Sequence, residues 1–120
     1  MPFRFEGLEI WQMAREYSNT ICRTAARFPE SERYSLASQI TRAADSICLN
    51  IAEGSGRDTK TDFNRFLGIA LGSIFEVACA LFLALDRGYM DKPLYDDLYD
   101  QADKIGRSIT NFRRALLSKR

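Results

Sequence analysis

Apolar residues recur at intervals of three and four along four stretches of this chain of 120 residues, and this spacing restricts its fold more than any other feature. Such spacing places apolar side chains on one face of an α-helix, whereas a strand needs alternation in twos. No stretch carries the alternating pattern of a strand. The sequence therefore predicts one all-α domain, residues 1–120, with helices at about 7–27, 30–53, 60–87 and 92–117.

The predicted connections between the helices are short. Pro29 ends the first helix, because a proline pushes the residue before it out of the helical region, and Pro29 can also open the second helix. Gly54 or Gly56 supplies the left-handed residue that commonly closes a helix. Short connections make consecutive helices antiparallel neighbours, so the prediction is an oligomeric up-down-up-down four-helix bundle.

The third helix carries its own start and stop signals. Thr59 followed by Asp62 has the spacing of a capping box, and Asp58 and Thr61 are alternative caps. Gly88 stops the helix after about residue 87. The segment 54–60 is glycine-rich and bears a lysine, but it follows a helix and lacks the glycine before the lysine that a phosphate-binding loop needs. We read it as a connector that can still hold an anion near Arg57 and Lys60 at the start of the helix.

The third helix is apolar on two sides. Its main face runs from Phe63 to Leu85, and a second set, Leu71, Phe75, Cys79 and Phe82, lies about 100° around the helix. A helix that is apolar on more than one side is buried on more than one side. Glu76 near its centre argues against a membrane span. We predict that Leu71, Phe75 and Phe82 contact another copy of the chain.

Composition excludes several classes of functional site but does not identify the function. The chain has 17 Lys and Arg, 16 Asp and Glu, and no histidine, which removes histidine-dependent nucleophile pairs and the common zinc and di-iron sites. We therefore predict no enzyme activity, no catalytic residue, no metal and no cofactor. Three isolated cysteines and the absence of a signal peptide favour reduced, buried thiols in the cytoplasm.

Polar residues form a stripe along the second helix, and others gather on one face of the third. Together they form a candidate polar cluster or subunit interface: Gln39, Arg42, Ser46, Asn50, Glu53, Arg65, Ser73 and Glu76. A solvated face is one interpretation. A second is that Arg42 pairs with Glu76 or Glu53 across a helix or subunit boundary, since its planar guanidinium suits carboxylates. A third is that Glu53 and Glu76 form an acid-base or metal pair.

Charge along the fourth helix is segregated, acidic in its first half and basic in its second. This distribution compensates the helix dipole. The basic half also offers candidate phosphate contacts at Arg107, Arg113 and Arg114.

Three blocks of sequence resemble a bacterial family of four-helix bundle proteins, the 23S rRNA intervening-sequence proteins, also called S23 ribosomal proteins. The blocks are LEIWQMA, FPESERYSLASQITRAADSICLNIAEGSGR and DFNRFLGIALGSIFEVACAL. The characteristic positions of the family fall on Gln39, Arg42, Ala43, Ser46, Asn50, Glu53, Gly54, Phe63, Phe66, Leu67, Gly72, Ser73 and Glu76.

The resemblance implies a small cytoplasmic bundle that assembles as a homo-pentamer. Some family members are encoded inside inserts of ribosomal RNA genes, and a relative in fold associates with nucleic acid and a reverse transcriptase. We therefore predict a non-enzymatic binding or scaffold module, with RNA or a nucleic-acid-handling protein as its partner, although the net charge of +1 is low for that role. The alternative is an enzyme or anion-binding protein that uses the polar cluster on a small ligand.

Overall fold

Four α-helices make up the chain in its computed structural model, which describes residues 2–118. They are α1 (Glu9–Ala25), α2 (Leu36–Ser55), α3 (Lys60–Asp86) and α4 (Lys92–Ser118), with short 3-10 turns at Arg4–Gly7 and Glu30–Glu32. Within residues 2–118 no strand forms, so the all-α prediction is confirmed. The bundle measures 49 × 25 × 20 Å, and a helix of 27 residues is about 40 Å long.

The core is built from the apolar stripes that the periodicity predicts. α1 contributes Tyr17 and Ile21, and α2 contributes Ile40 and Ile47, all with at most 1% of their surface exposed. The other fully buried large side chains come from α2, α3 and α4: Ile51, Phe63, Leu67, Val77, Leu81, Leu98 and Ile109. α3 packs against both α2 and α4, so it needs apolar residues on more than one of its faces.

The start of α2 differs from the sequence prediction. Pro29 is extended (φ −54°, ψ 147°) and opens only the 3-10 turn, so that α2 begins at Leu36 rather than at residue 30. The reason is the side chain of Glu32, whose Oε1 accepts a hydrogen bond of 3.2 Å from the Leu36 N–H. Its other oxygen accepts from Tyr89 (2.5 Å) and from Arg87 (3.3 Å), which lie between α3 and α4. One carboxylate thus ties the two connections at this end of the bundle.

The end of α2 also corrects a prediction. Neither Gly54 nor Gly56 is left-handed: Gly56 has φ −90° and ψ 1°, and Gly88 is the one positive-φ glycine in the part of the chain that the structure describes, with φ 75°. Gly54 lies inside α2, where a Cβ would meet Phe66 Cβ at 2.8 Å and Phe63 Cδ1 at 2.9 Å. The absence of a side chain at Gly54 therefore allows α2 to approach α3 closely.

The boundaries of α3 follow the predicted signals. The Thr59 side chain accepts a hydrogen bond of 3.1 Å from the Asp62 N–H, so Thr59 is the cap rather than Asp58 or Thr61. Gly88 follows the helix with its left-handed backbone. By length and composition alone α3 could cross a membrane, but 44% of its most apolar window is buried inside the bundle. Core helices of globular proteins share that property.

The second apolar side of α3 is not covered within one chain. Phe75 is 77% exposed and Phe82 is 52% exposed, whereas Leu71 is half-buried against the core. The exposure of the cysteines also differs from the prediction of buried thiols, since Cys22 and Cys79 are exposed and Cys48 is half-buried. Cys79 belongs to this uncovered side of α3, and Cys22 lies at the edge of α1 that borders α2. None of the three forms a disulfide.

Candidate functional site

The predicted polar cluster does not converge on one point. Gln39 and Glu53 are fourteen residues apart on α2, so they are separated by about 21 Å along the helix axis. The structure divides the cluster into a central hydrogen-bonded network, a depression toward the start of α2 and a group of ion pairs toward its end.

The central network joins α2 to α3. Ser73 Oγ donates to Ser46 Oγ at 2.8 Å, and Asn50 Nδ2 donates to the same hydroxyl at 2.9 Å and to the Ser46 carbonyl at 2.8 Å. Ser73 is 4% exposed, and its hydroxyl also contacts the Ile69 carbonyl at 3.2 Å. These polar groups satisfy one another, and their geometry is that of a structural connection between helices.

Three residues of the cluster with amide or charged side chains line a depression of about 480 Å³ near the start of α2. They are Gln39, Arg42 and Glu76, and hydroxyls from Tyr34, Ser35 and Ser38 lie around them. Within residues 2–118, the pairing of Arg42 with Glu76 or Glu53 does not form in a single chain. The predicted ion pair of Arg42 with Glu76 or Glu53 is therefore possible only between two chains.

Glu53 instead belongs to a charged group around Phe66. Glu53 pairs with Arg57 at 3.0 Å, and Asp62 pairs with Arg57 at 3.5 Å and with Arg65 at 3.0 Å. The two guanidinium groups stack on the Phe66 ring at 4.7 and 4.4 Å from its centroid. Cation–π contact and ion pairing hold both arginines in place, so Arg57 has little freedom to bind a phosphate.

Glu53 and Glu76 do not share a site. Glu53 contacts Arg57 at the end of α2, whereas Glu76 lines the depression at its start. In the described part of the chain, no three His, Cys, Asp or Glu side chains are grouped closely enough to hold a metal ion.

The candidate phosphate contacts are dispersed. Arg107 pairs with Asp103 at 3.1 Å, and the half-buried Arg113 donates from Nε to Asn64 Oδ1 at 2.6 Å. Arg114 is exposed on α4, and Lys60 is exposed at the first residue of α3. Within residues 2–118, Arg57 lines a pocket at the α2-to-α3 connection and Arg107 lines one between α3 and α4, with no second of these basic residues beside either.

An exposed apolar surface where α3 borders α4 involves residues that the sequence reasoning partly missed. Phe82 contacts Tyr95 and Tyr99 of α4 at ring-centroid distances of 5.3 and 6.4 Å. Burial, together with the neighbouring Tyr99, raises the pKa of Tyr95. We define the aromatic face as Phe75, Phe82 and Tyr99. The four-residue spacing of Tyr95 and Tyr99 on one side of α4 was the available signal.

A second surface, the α1/α2 groove, was also missed. It has a volume of about 510 Å³ and lies between the end of α1 and the start of α2. Small side chains such as Ala26 and Ala37 form its floor, with Cys22, Phe28 and Pro29 beside them. Tyr34 projects at its edge with 87% of its surface exposed. No periodicity marks this groove, because it results from the bend of the chain before α2.

Comparisons with known proteins agree with this architecture. Residues 6–111 match the family model described as 23S rRNA-intervening sequence protein. A crystal structure of a protein of unknown function from the S23 ribosomal protein family of Bacteroides thetaiotaomicron is similar in fold, with a TM-score of 0.78 and 21% sequence identity over 87% of this chain and 97% of that one. Among curated proteins, none matches this sequence significantly.

Proposed function

Because the chain belongs to the 23S rRNA-intervening sequence protein family, we propose that it is a non-enzymatic four-helix bundle that assembles with itself, as a homo-pentamer, and acts as a cytoplasmic binding or scaffold module. The observation that carries this proposal is the aromatic face. Large side chains such as Phe75, at 77% exposure, are rarely left in water as a continuous patch unless another molecule covers them.

The proposed course of the helices is alternately up and down. Contacts between consecutive helices support it: Gly54, late in α2, lies against Phe63, early in α3, and Asn64, early in α3, bonds to Arg113, late in α4. The Glu32 contacts to Arg87 and Tyr89 further support placing two connections at one end.

Light scattering tests self-assembly. At micromolar concentration we expect a mass five times the chain mass of 13.7 kDa. The double variant Phe75→Asp/Phe82→Asp should be a folded monomer by circular dichroism, because charges on this face oppose burial. Leu117→Asp, at an exposed apolar residue elsewhere, is the matched control and should leave the mass unchanged. A monomeric wild-type chain would refute the proposal.

The proposed partner of the assembly is RNA or a protein that handles nucleic acid. The family description links its members to 23S rRNA, and Arg114 and Lys60 are exposed basic groups on this chain. Phosphate contacts make affinity fall linearly with the logarithm of salt concentration. We expect such a slope for a 23S rRNA fragment, and a shallower slope for Arg114→Gln. A binding signal without salt dependence would argue against phosphate contacts.

A second candidate function is binding of a small anion at the depression that holds Gln39 and Arg42. The exposed Arg42 guanidinium, which pairs with no carboxylate of its own chain in the described residues, is the observation that favours it. Calorimetric titration with inorganic phosphate tests it, with Arg42→Gln as the variant and Arg33→Gln as the control. Equal heats for wild type and Arg42→Gln would exclude the site.

A further inference from the structure

We propose that the copies associate head to tail: the aromatic face of one chain docks into the α1/α2 groove of the next. This inference rests on the proposed self-assembly and assigns the two surfaces that meet. The aromatic face lies where α3 borders α4, and the groove lies where α1 borders α2, so each chain carries both halves of the contact on different sides.

The two surfaces have complementary shapes. Phe75 and Phe82 project from α3, and Cys79 lies between them, one turn from each. The groove is floored by alanines and has room for an aromatic ring in its volume of about 510 Å³. Its lining also includes Pro29 and the edge of Phe28, whose ring is otherwise buried against Tyr89.

The two surfaces also have opposite charge. In the groove, Arg33 pairs with Glu30 at 3.4 Å, whereas Arg42 pairs with no carboxylate of the described residues. Beside the aromatic face, Lys92 pairs with Asp96 at 2.6 Å, and Asp86 has no ion pair within residues 2–118. Burial and Tyr99 raise the pKa of Tyr95 most, and Asp96 and Asp86 lie close enough to Tyr95 to raise it further. Arg33 and Arg42 line the groove. Opposed charges favour this pairing, while two aromatic faces would bring like charges together.

The heights of the two surfaces along the bundle also match. The Phe28 and Tyr89 rings are 5.5 Å apart, which places the α1-to-α2 and α3-to-α4 connections at the same end. Counted from that end, Cys22 is three residues inside α1 and Phe82 four residues inside α3, about 5 and 6 Å. Copies standing side by side in the same orientation therefore bring Phe82 to the groove with almost no axial shift.

A head-to-tail contact has a consequence for symmetry. Because it joins different surfaces, each added copy leaves one of each surface free, and the copies form an open filament unless the rotation between them closes a ring, as the proposed pentamer requires. A contact of the aromatic face with itself would instead stop at a dimer. The two arrangements differ in which cysteines approach each other: Cys22 of one chain and Cys79 of the next in the first, and two copies of Cys79 in the second.

Cysteine cross-linking distinguishes these arrangements. One chain keeps only Cys22 (Cys48→Ala/Cys79→Ser), a second keeps only Cys79 (Cys22→Ser/Cys48→Ala), and both are refolded together and treated with a short bismaleimide. We expect a cross-linked dimer from the mixture and none from either chain alone. Dimers from the Cys79 chain alone, or none from a mixture that light scattering shows to be assembled, would overturn the head-to-tail contact.

Filling the groove gives a second test that needs no cysteine. Ala26→Trp occupies the groove without touching the aromatic face and should reduce the wild-type mass to that of a monomer. Ala115→Trp, at an exposed alanine of α4, is the control and should assemble normally. An assembled Ala26→Trp chain would overturn the inference, whereas a wild-type monomer would refute self-assembly itself.

Discussion

Gly54 is the residue on which the close packing of α2 against α3 depends. Its missing side chain leaves room for Phe66 Cβ and the Phe63 ring, both of which would lie within 3 Å of an added Cβ. The sequence marked Gly54 as a glycine near a helix end, and the usual reason for such a glycine is a left-handed backbone. Only the packing of the two helices shows that the reason here is space.

Gly54→Ala should therefore destabilise the fold. Overpacking costs about 1–3 kcal/mol, which outweighs the gain of about 1 kcal/mol from the helix propensity of alanine. Urea denaturation followed by circular dichroism measures the difference in unfolding free energy. Gly56→Ala is the control, since its Cβ would meet only the Glu53 carbonyl oxygen at 3.6 Å. Equal stability of the two variants would contradict the packing role of Gly54.

Tyr17 is the second residue whose own contribution to stability can be measured. It is fully buried, and its hydroxyl donates to the Leu98 carbonyl oxygen at 2.9 Å. Burial, with a smaller effect of Asp97, raises the pKa of Tyr17 far above that of an exposed tyrosine. Because the unfolded chain gives up this proton first, the stabilising contribution is present below about pH 10 and is lost as pH rises beyond it.

Tyr17→Phe should cost about 1 kcal/mol at neutral pH and should weaken the loss of stability above about pH 10. Thermal unfolding at a series of pH values measures both effects. An unchanged slope for Tyr17→Phe would contradict the assignment.

At the scale of elements, the sequence predicted helices well and their junctions unevenly. The Thr59 cap and the stop at Gly88 were readable because they depend on neighbours within three residues. The start of α2 was not readable, because it depends on Glu32 contacting Tyr89, 57 residues further along the chain. The polar cluster divides into three parts for a related reason: a helical stripe shows which residues share a face, but not which of them meet the same partner along the helix.

The Glu32 junction predicts a response to acid. Hydrogen bonds from Tyr89 and from the Leu36 N–H lower the pKa of Glu32, with a further contribution from Arg87. A lowered pKa contributes stability above the unfolded value of about 4.3, and that contribution is lost as pH falls. Glu32→Gln should therefore lose less stability between neutral and acid pH than the wild type does. Acid titration followed by circular dichroism tests this against Glu30→Gln, whose side chain is 88% exposed.

At the scale of the whole molecule, the aromatic face links stability to concentration. The sequence predicted an extra apolar side on α3, but could not show that Tyr99 extends it or that a groove lies between α1 and α2, since both arise from pairs of helices. If copies cover this face, association stabilises the folded state by mass action.

The unfolding temperature of the wild type should accordingly rise with protein concentration. The rise should be absent in Phe75→Asp/Phe82→Asp, because charges on the aromatic face prevent its burial. Differential scanning calorimetry across a hundredfold range of concentration measures it. A wild-type unfolding temperature that does not depend on concentration would contradict assembly through this face.

The bond between Tyr17 and Leu98 has a consequence for the order of folding. It lies in the contact between the first and last helices and spans 81 residues, whereas the contacts of α1 with α2, of α2 with α3 and of α3 with α4 join neighbours along the chain. Closing so long a loop costs the most chain entropy, so we expect α1 and α4 to meet after the rate-limiting step. Stopped-flow kinetics of Tyr17→Phe should then show faster unfolding at an almost unchanged refolding rate, and a slowed refolding limb would place this closure in the folding nucleus.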